Sequence, residues 1–270
     1  MVSSGSRGPS LVALGFFLAR RGFTALVGLS LAVANVVGFG GLAFYLARRG
    51  RLEALASLPL LASTALAFAA GVLVAFAAST RVFRRDEDEG VRALLAARGV
   101  STAAYLAARV SGLAVLLAVL VGGGSALVGL VATLAARGRT TALHTAQASL
   151  AAIAFGVAFA IVFAPVAIAT LGARSRAGGY LALLGVLVLP ELLCDLAGAS
   201  AIVPQRWLDV CSIPGALLAV RTALAPVGVD PFMLGRGLIA LGVVVIGALL
   251  VVTTELASSR RARIAERPRP

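Results

Sequence analysis

"ALASLPLLASTALAFAAGVLVAFAAST", residues 54–80, carries no charged side chain and leaves no face of a helix for water. A helix rises about 1.5 Å per residue and needs roughly 20 apolar residues to cross the hydrocarbon of a bilayer, so this run is long enough to span it. A barrel strand would alternate apolar and polar residues over about 10 positions, and this run does not alternate. Outward from it, residues 22–47 and 110–136 are equally free of charge, and a fourth apolar run lies within 146–172. A fifth goes from Gly178 to Ala199, interrupted by Glu191 and Asp195, and a sixth from Gly237 to Thr254. The expected fold is an all-α integral membrane protein with six transmembrane helices. Composition agrees: 60% of the 270 residues are apolar, 13% are charged and the mean hydropathy is +1.01, beyond what a water-soluble core requires.

The formal net charge of +13 is carried by arginine alone, since the sequence contains no lysine. A nucleotide-binding P-loop needs a lysine for the terminal phosphates and a Schiff-base enzyme needs a lysine amine, so both are excluded. No cofactor is expected in this chain. Arginine in place of every lysine, beside abundant alanine, fits a GC-rich bacterial genome. Basic loops are retained in the cytoplasm, and the arginines concentrate at Arg7, Arg20, Arg21, the loop 81–109, Arg174, Arg176 and the tail from Arg260 to Arg269. Both termini are therefore assigned to the cytoplasm, in a bacterial inner membrane. Residues 11–19 are too short to span, and no small-residue cleavage site of a secretory signal follows them, so they read as an interfacial helix.

One transmembrane domain covers the chain. Residues 1–21 are cytoplasmic or interfacial, 22–80 hold spans 1 and 2, and 81–109 are a cytoplasmic loop. Residues 110–200 hold spans 3 to 5, 201–233 an outer segment, 234–257 span 6 and 258–270 a cytoplasmic tail. The loop "RVFRRDEDEGVRALLAARGVSTAAYLAARV", residues 81–110, is the most charged part of the sequence. Its acids, Asp86 to Glu89, precede an apolar stripe at Val91, Leu94 and Leu95 with Arg98 alongside, which predicts a short amphipathic helix over 88–98. The acids would lie at its positive end, with an Asp88–Arg92 ion pair at i,i+4. Gly99 would stop this helix and Ser101 cap the next, which continues without a breaker into the third span. A solvated loop that merely stays out of lipid is the plain alternative.

Arg81-Val82-Phe83-Arg84, Asp86, Glu89-Gly90, Leu95 and Ala108-Arg109-Val110 resemble the corresponding loop of the heme exporter protein B family of cytochrome c maturation. More widely, Glu89, Gly90, Leu94, Leu95, Val100, Ser101, Tyr105 and Arg109 are similar to the loop of ABC-2-type ABC transporter permeases, with Gly99 where proline is usual. Arg174-Ser175-Arg176, Gly178-Gly179, "YLALLGVLV" and Leu189-Pro190 repeat that family's order around the fifth span. The resemblance implies a permease subunit of an exporter, paired with a second permease chain and driven by a separate ABC ATPase that binds the ATP. Residues 88–98 would be the coupling helix between helices 2 and 3, with Arg84, Glu89 and Arg98 making polar contacts, Leu94 and Leu95 packing on the ATPase, and Gly90 among the coupling residues. Segment 10–21 would form the other contact at the inner face. Heme is the substrate that the resemblance suggests, and a lipid or another hydrophobic compound is the alternative.

The remaining candidates are fewer. Glu191 and Asp195, at i,i+4, share one helical face and are either transport-lining or helix-pairing groups, or a solvated helix end. Residues 201–233 hold four prolines and read either as re-entrant outer helices or as a plain outer loop. Cys194 and Cys211 are either a disulfide or two small buried thiols. His144, the single histidine, reads as a structural or interfacial residue, and no metal site or nucleic-acid surface is expected. Gly38, Gly40, Gly41 and Gly122 to Gly124 allow close helix approach, within one chain or between two. The competing class is an ATP-independent secondary transporter, for which coupled acids at mid-membrane would be expected.

Overall fold

The structure is a computed structural model that describes residues 8–20, 23–136, 138–172, 176–199, 204, 208, 210–224 and 231–266, with side chains left out at 8–10, 23, 25, 176, 199, 231 and 255–266. Its elements are α1 (Gly8–Ala19), α2 (Phe23–Arg48), α3 (Leu52–Ala65), a π-helical segment (Leu66–Gly71) and α4 (Val72–Ser79), then α5 (Val82–Asp88), α6 (Val91–Ala97) and α7 (Thr102–Ala118). A second π-helical segment (Val119–Gly123) leads into α8 (Gly124–Ala135), followed by α9 (Arg139–Leu171), α10 (Arg176–Ala199), α11 (Ile213–Leu224) and α12 (Pro231–Glu266). Six helical columns are long and apolar enough to cross a membrane: Leu26–Arg48, Leu52–Asp88, Thr102–Ala135, Arg139–Leu171, Ala177–Gly198 and Phe232–Thr254. The chain is thus a multi-pass helical protein, with all six expected spans present. Several columns outrun their apolar cores, the fourth starting at Arg139 and the sixth at Pro231.

α9 is the axis of the bundle. Every residue from Val162 to Leu171 is buried, and Phe155, Phe159 and Phe163, one turn apart, form its widest filled side. Phe159 and Phe163 stack with centroids 5.0 Å apart. Small residues let the neighbouring columns close around it. A methyl group on Gly156 would stand 2.7 Å from the backbone nitrogen of Gly122, and one on Gly71 would meet the Phe159 ring at the same distance. The two π segments lie against each other beside Phe159. Each extra residue per turn rotates the rest of its column, a local feature often kept at functional sites.

Of the glycines singled out by sequence, Gly122 faces the Ile153 carbonyl and Gly124 the Leu66 side chain, so both serve packing within the chain. Gly38, Gly41 and Gly123 face open space. α1 forms as expected, but its position is set by α7: Gly15 meets the Ala108 carbonyl and Gly112 meets the backbone of Gly15 and Phe16. A side chain at either glycine would force the two helices apart.

The loop 81–109 departs from expectation. The acids belong to α5, whose Asp86, Glu87 and Asp88 fill its C-terminal half, so they do not lie at the positive end of the amphipathic helix. Gly90 then adopts φ 70°, a conformation that L side chains avoid, and α6 is limited to Val91–Ala97. Asp88 and Arg92 therefore lie on different helices and not at i,i+4 of one. The stop and cap are as expected: Gly99, at φ 73°, donates its N–H to the Ala96 carbonyl at 2.9 Å, and the Ser101 hydroxyl accepts the Ala104 N–H at 3.2 Å.

Within 201–233, α11 is a helix of 12 residues, about 18 Å long and too short to span. It packs against α9, α10 and the start of α12, where a methyl on Gly237 would lie 3.3 Å from the Ala216 carbonyl oxygen. Arg221 donates from Nη1 to Thr64 Oγ1 at 2.9 Å and so ties α11 to α3. Trp207 and Asp209 lie outside the described residues, as do Arg7, Arg21, Arg174 and the last residues of the tail.

Candidate functional site

α5 and α6 form a helical hairpin at one end of the bundle, and three tethers fix it there. The first is the corner that leads into α5. Arg81 sits at φ 52°, the only non-glycine residue with positive φ among those described. That strain is compensated by α9, because the Arg81 N–H donates to the Leu171 carbonyl at 2.9 Å and the Phe83 N–H to the Gly172 carbonyl at 3.4 Å. A helix C-terminus has carbonyls without intrahelical partners, and here the hairpin supplies the donors.

The second tether is a buried ion pair. Asp86 on α5 is wholly buried and Arg109 on α7 nearly so. Arg109 donates from Nε to Asp86 Oδ2 at 2.7 Å and from Nη2 to Oδ1, and the Tyr105 hydroxyl donates to Oδ2. Both carboxylate oxygens are engaged by a planar fork, the geometry that gives guanidinium–carboxylate pairs their directionality. Phe83 on α5 and Tyr105 on α7 pack with ring centroids 6.4 Å apart, a further contact between the two helices.

The third tether is Leu95. It faces inward at 9% exposure and joins the main core, while its neighbour Leu94 is 56% exposed. Sequence spacing assigned both leucines to one docking face, yet the structure presents only Leu94. Arg84, Glu89, Gly90 and Arg98 are exposed with it. Between hairpin and bundle lies a cavity of about 290 Å³ lined by Glu87, Arg92, Leu95, Ala96, Val100 and Tyr105. The Arg92 guanidinium stands 6.0 Å from the centre of the Tyr105 ring, so the ring that anchors Asp86 also carries a cation on its face.

The other predicted acids lie apart from this hairpin. Glu191 and Asp195 are fifteen and nineteen residues along α10 from Arg176, about 22 to 28 Å further on. Both are exposed, and with Cys194, Ser212, Thr222 and Met233 they line an open cavity of about 500 Å³ between α10, α11 and α12. Cys194 and Cys211 are paired as a disulfide across a Cα separation of 6.7 Å, and Cys211 is exposed, so the two-buried-thiols alternative does not hold. The bridge fastens the residues before α11 to α10. His144 is exposed, and no group of three or more potential metal ligands occurs among the described residues.

What the sequence reading missed is the role of Asp86. Tyr105 and Arg109 fall at i,i+4, on one face of a helix, and that pattern was visible. Their partner lies on a separate helix, beyond the stops at Gly90 and Gly99. No protein-family model, curated protein or solved structure matches this chain.

Proposed function

We propose that this chain is the membrane-spanning permease subunit of an ABC exporter in a bacterial inner membrane, driven by a separate ATPase subunit that docks on the α5–α6 hairpin. The observation that carries the reading is the hairpin's construction. One large apolar side chain, Leu94, is exposed on a hairpin that also exposes Arg84, Glu89 and Arg98, while Asp86, Leu95 and the Arg81 corner lock the hairpin to α7 and α9. A loop that only stays out of lipid gains nothing from such a lock, whereas a lever requires rigid attachment to the helices it moves. A push on α6 would pass through Leu95 and the Asp86–Arg109 pair into α7, and through the Arg81 corner into α9. In this reading the hairpin and both termini are cytoplasmic, α1 lies at the inner face, and α11 is a re-entrant helix of the outer leaflet. A second permease chain completes the complex. Heme, or another hydrophobic compound such as a lipid, is the cargo class, and the ATP chemistry belongs to the partner.

The test is affinity purification from native membranes with a Leu94→Asp variant beside wild type. Leu94 is exposed, so the substitution leaves the fold intact, unlike one at Leu95. An ABC ATPase that accompanies wild type and is lost from Leu94→Asp supports the proposal, and substrate-stimulated ATP hydrolysis by the recovered complex would establish export. No ATPase with either form would refute it. The second reading, an ATP-independent carrier, then gains from the Glu191 and Asp195 carboxylates in the α10–α12 cavity, and would be tested by proton-coupled uptake lost in Asp195→Asn.

A further inference from the structure

A long apolar trench runs down the outside of the bundle between α2 and the column formed by α7, the second π segment and α8. It follows from how α2 is packed. At its far end α2 is drawn in by small residues: Ala43 and Ala47 pack with Leu55, Leu58, Val128 and Ala132. Toward its start it stands away, touching α4 where a methyl on Gly28 would meet Val74 Cγ2 at 3.0 Å. The space left has a volume of about 620 Å³, and its walls include Leu29, Val33, Val37, Val119, Gly123 and Leu127. Along α2 the trench follows Thr24 to Val37, a helical rise of about 20 Å, more than the roughly 15 Å depth of one leaflet's hydrocarbon.

Two features set this trench apart from the other lipid-exposed faces. Apart from Thr24 near the start of α2 its walls are apolar, so in the bilayer it holds hydrocarbon and not water. At its mouth stands one charged group, Arg20, whose guanidinium lies 5.4 Å from the Phe17 ring centre and 6.0 Å from that of Phe16. The cation is kept at the end of an apolar slot, the complement of an amphiphile with an anionic head and a long tail. We infer that the trench is a binding site for an anionic phospholipid, with one acyl chain lying against α2 and α8 and the phosphate paired with Arg20. The site does not depend on the exporter reading and stands or falls separately from it.

The experiment uses the full-length protein in mixed phosphatidylcholine and phosphatidylglycerol vesicles, with a photoreactive diazirine at the acyl terminus of one lipid or the other. After photolysis, labelled peptides are mapped by mass spectrometry. Labelling of α2 and α8 from phosphatidylglycerol should exceed that from phosphatidylcholine by about fivefold, the attraction of one basic residue for an anionic headgroup. Arg20→Gln should bring the ratio to about one. Gly123→Leu should lower labelling of the trench from both lipids, because a side chain at Gly123 meets nothing within 4 Å and can fill the slot. Uniform labelling of α2, α10 and α12 with no headgroup preference would overturn the inference, leaving the trench as ordinary annular surface. Protection of the trench in a cross-linked dimer, with no lipid adduct there, would also overturn it by assigning the face to a second copy of the chain.

Discussion

Asp86 has both carboxylate oxygens engaged inside the fold, and its partner Arg109 has given up nearly all contact with water. Removing one member leaves the other buried and uncompensated, a change that costs about 3–5 kcal/mol, whereas replacing both with apolar residues of similar volume is often nearly neutral. Arg109→Leu should therefore unfold at distinctly lower temperature in detergent than wild type, and the Asp86→Leu, Arg109→Leu double variant should recover most of the loss. On the proposed exporter reading, recovery of stability without recovery of transport would place the pair's value in transmission. Only the i,i+4 spacing of Tyr105 and Arg109 was legible in the sequence, not that the two share a partner. Asp86 was not: local pattern offered the helix macrodipole as a sufficient use for every acid in the run, and a contact across 23 residues leaves no local trace.

At the scale of elements, glycines decide where the hairpin can exist. Gly90 and Gly99 both take positive φ with open space around them, so Gly90→Ala and Gly99→Ala meet no clash and pay only the backbone cost, about 1–2 kcal/mol each. Their effect should appear as faster hydrogen exchange in residues 82–100, with the membrane-spanning amides unchanged. Gly156 is the opposite case, since a methyl there would press on the Gly122 backbone. Gly156→Leu should separate α9 from the second π segment and lower thermal stability by more than either hairpin variant. The sequence placed the Gly99 stop and the Ser101 cap because each acts within four residues. It misassigned the acids because Val82 and Phe83 carry no helix-start signal; what makes α5 a helix is their burial against α9 and α7, a tertiary cause.

For the whole molecule, six spans were legible because hydropathy reports which residues avoid water. It does not report which residues avoid lipid, and so the neighbours of each span, the axial place of α9 and the trench beside α2 were not. The proposed sidedness has a direct check. In a Cys194→Ser, Cys211→Ser background, a cysteine at Leu94 should react with a membrane-impermeant maleimide only when the inner face is exposed, and one at Arg49 should react from the outer face of intact cells. Reaction of both from one side would reverse or refute the assigned topology. In the unaltered chain, Cys194 and Cys211 should resist maleimide until a reductant is added.

The enclosure of α9 also predicts how the chain tolerates change. In the most apolar stretch of α9, 72% of residues are buried, against 6% in α10. Where lipid is the neighbour, a side chain of new size meets a fluid that rearranges around it. Where protein is the neighbour, volume is fixed by close packing, and Phe→Ala in such a setting costs about 3–5 kcal/mol. A library of single substitutions scored for surviving protein should therefore find α10 permissive to almost any apolar exchange and α9 nearly closed to it. Over many generations the chain would drift along its rim while its axis stayed in place.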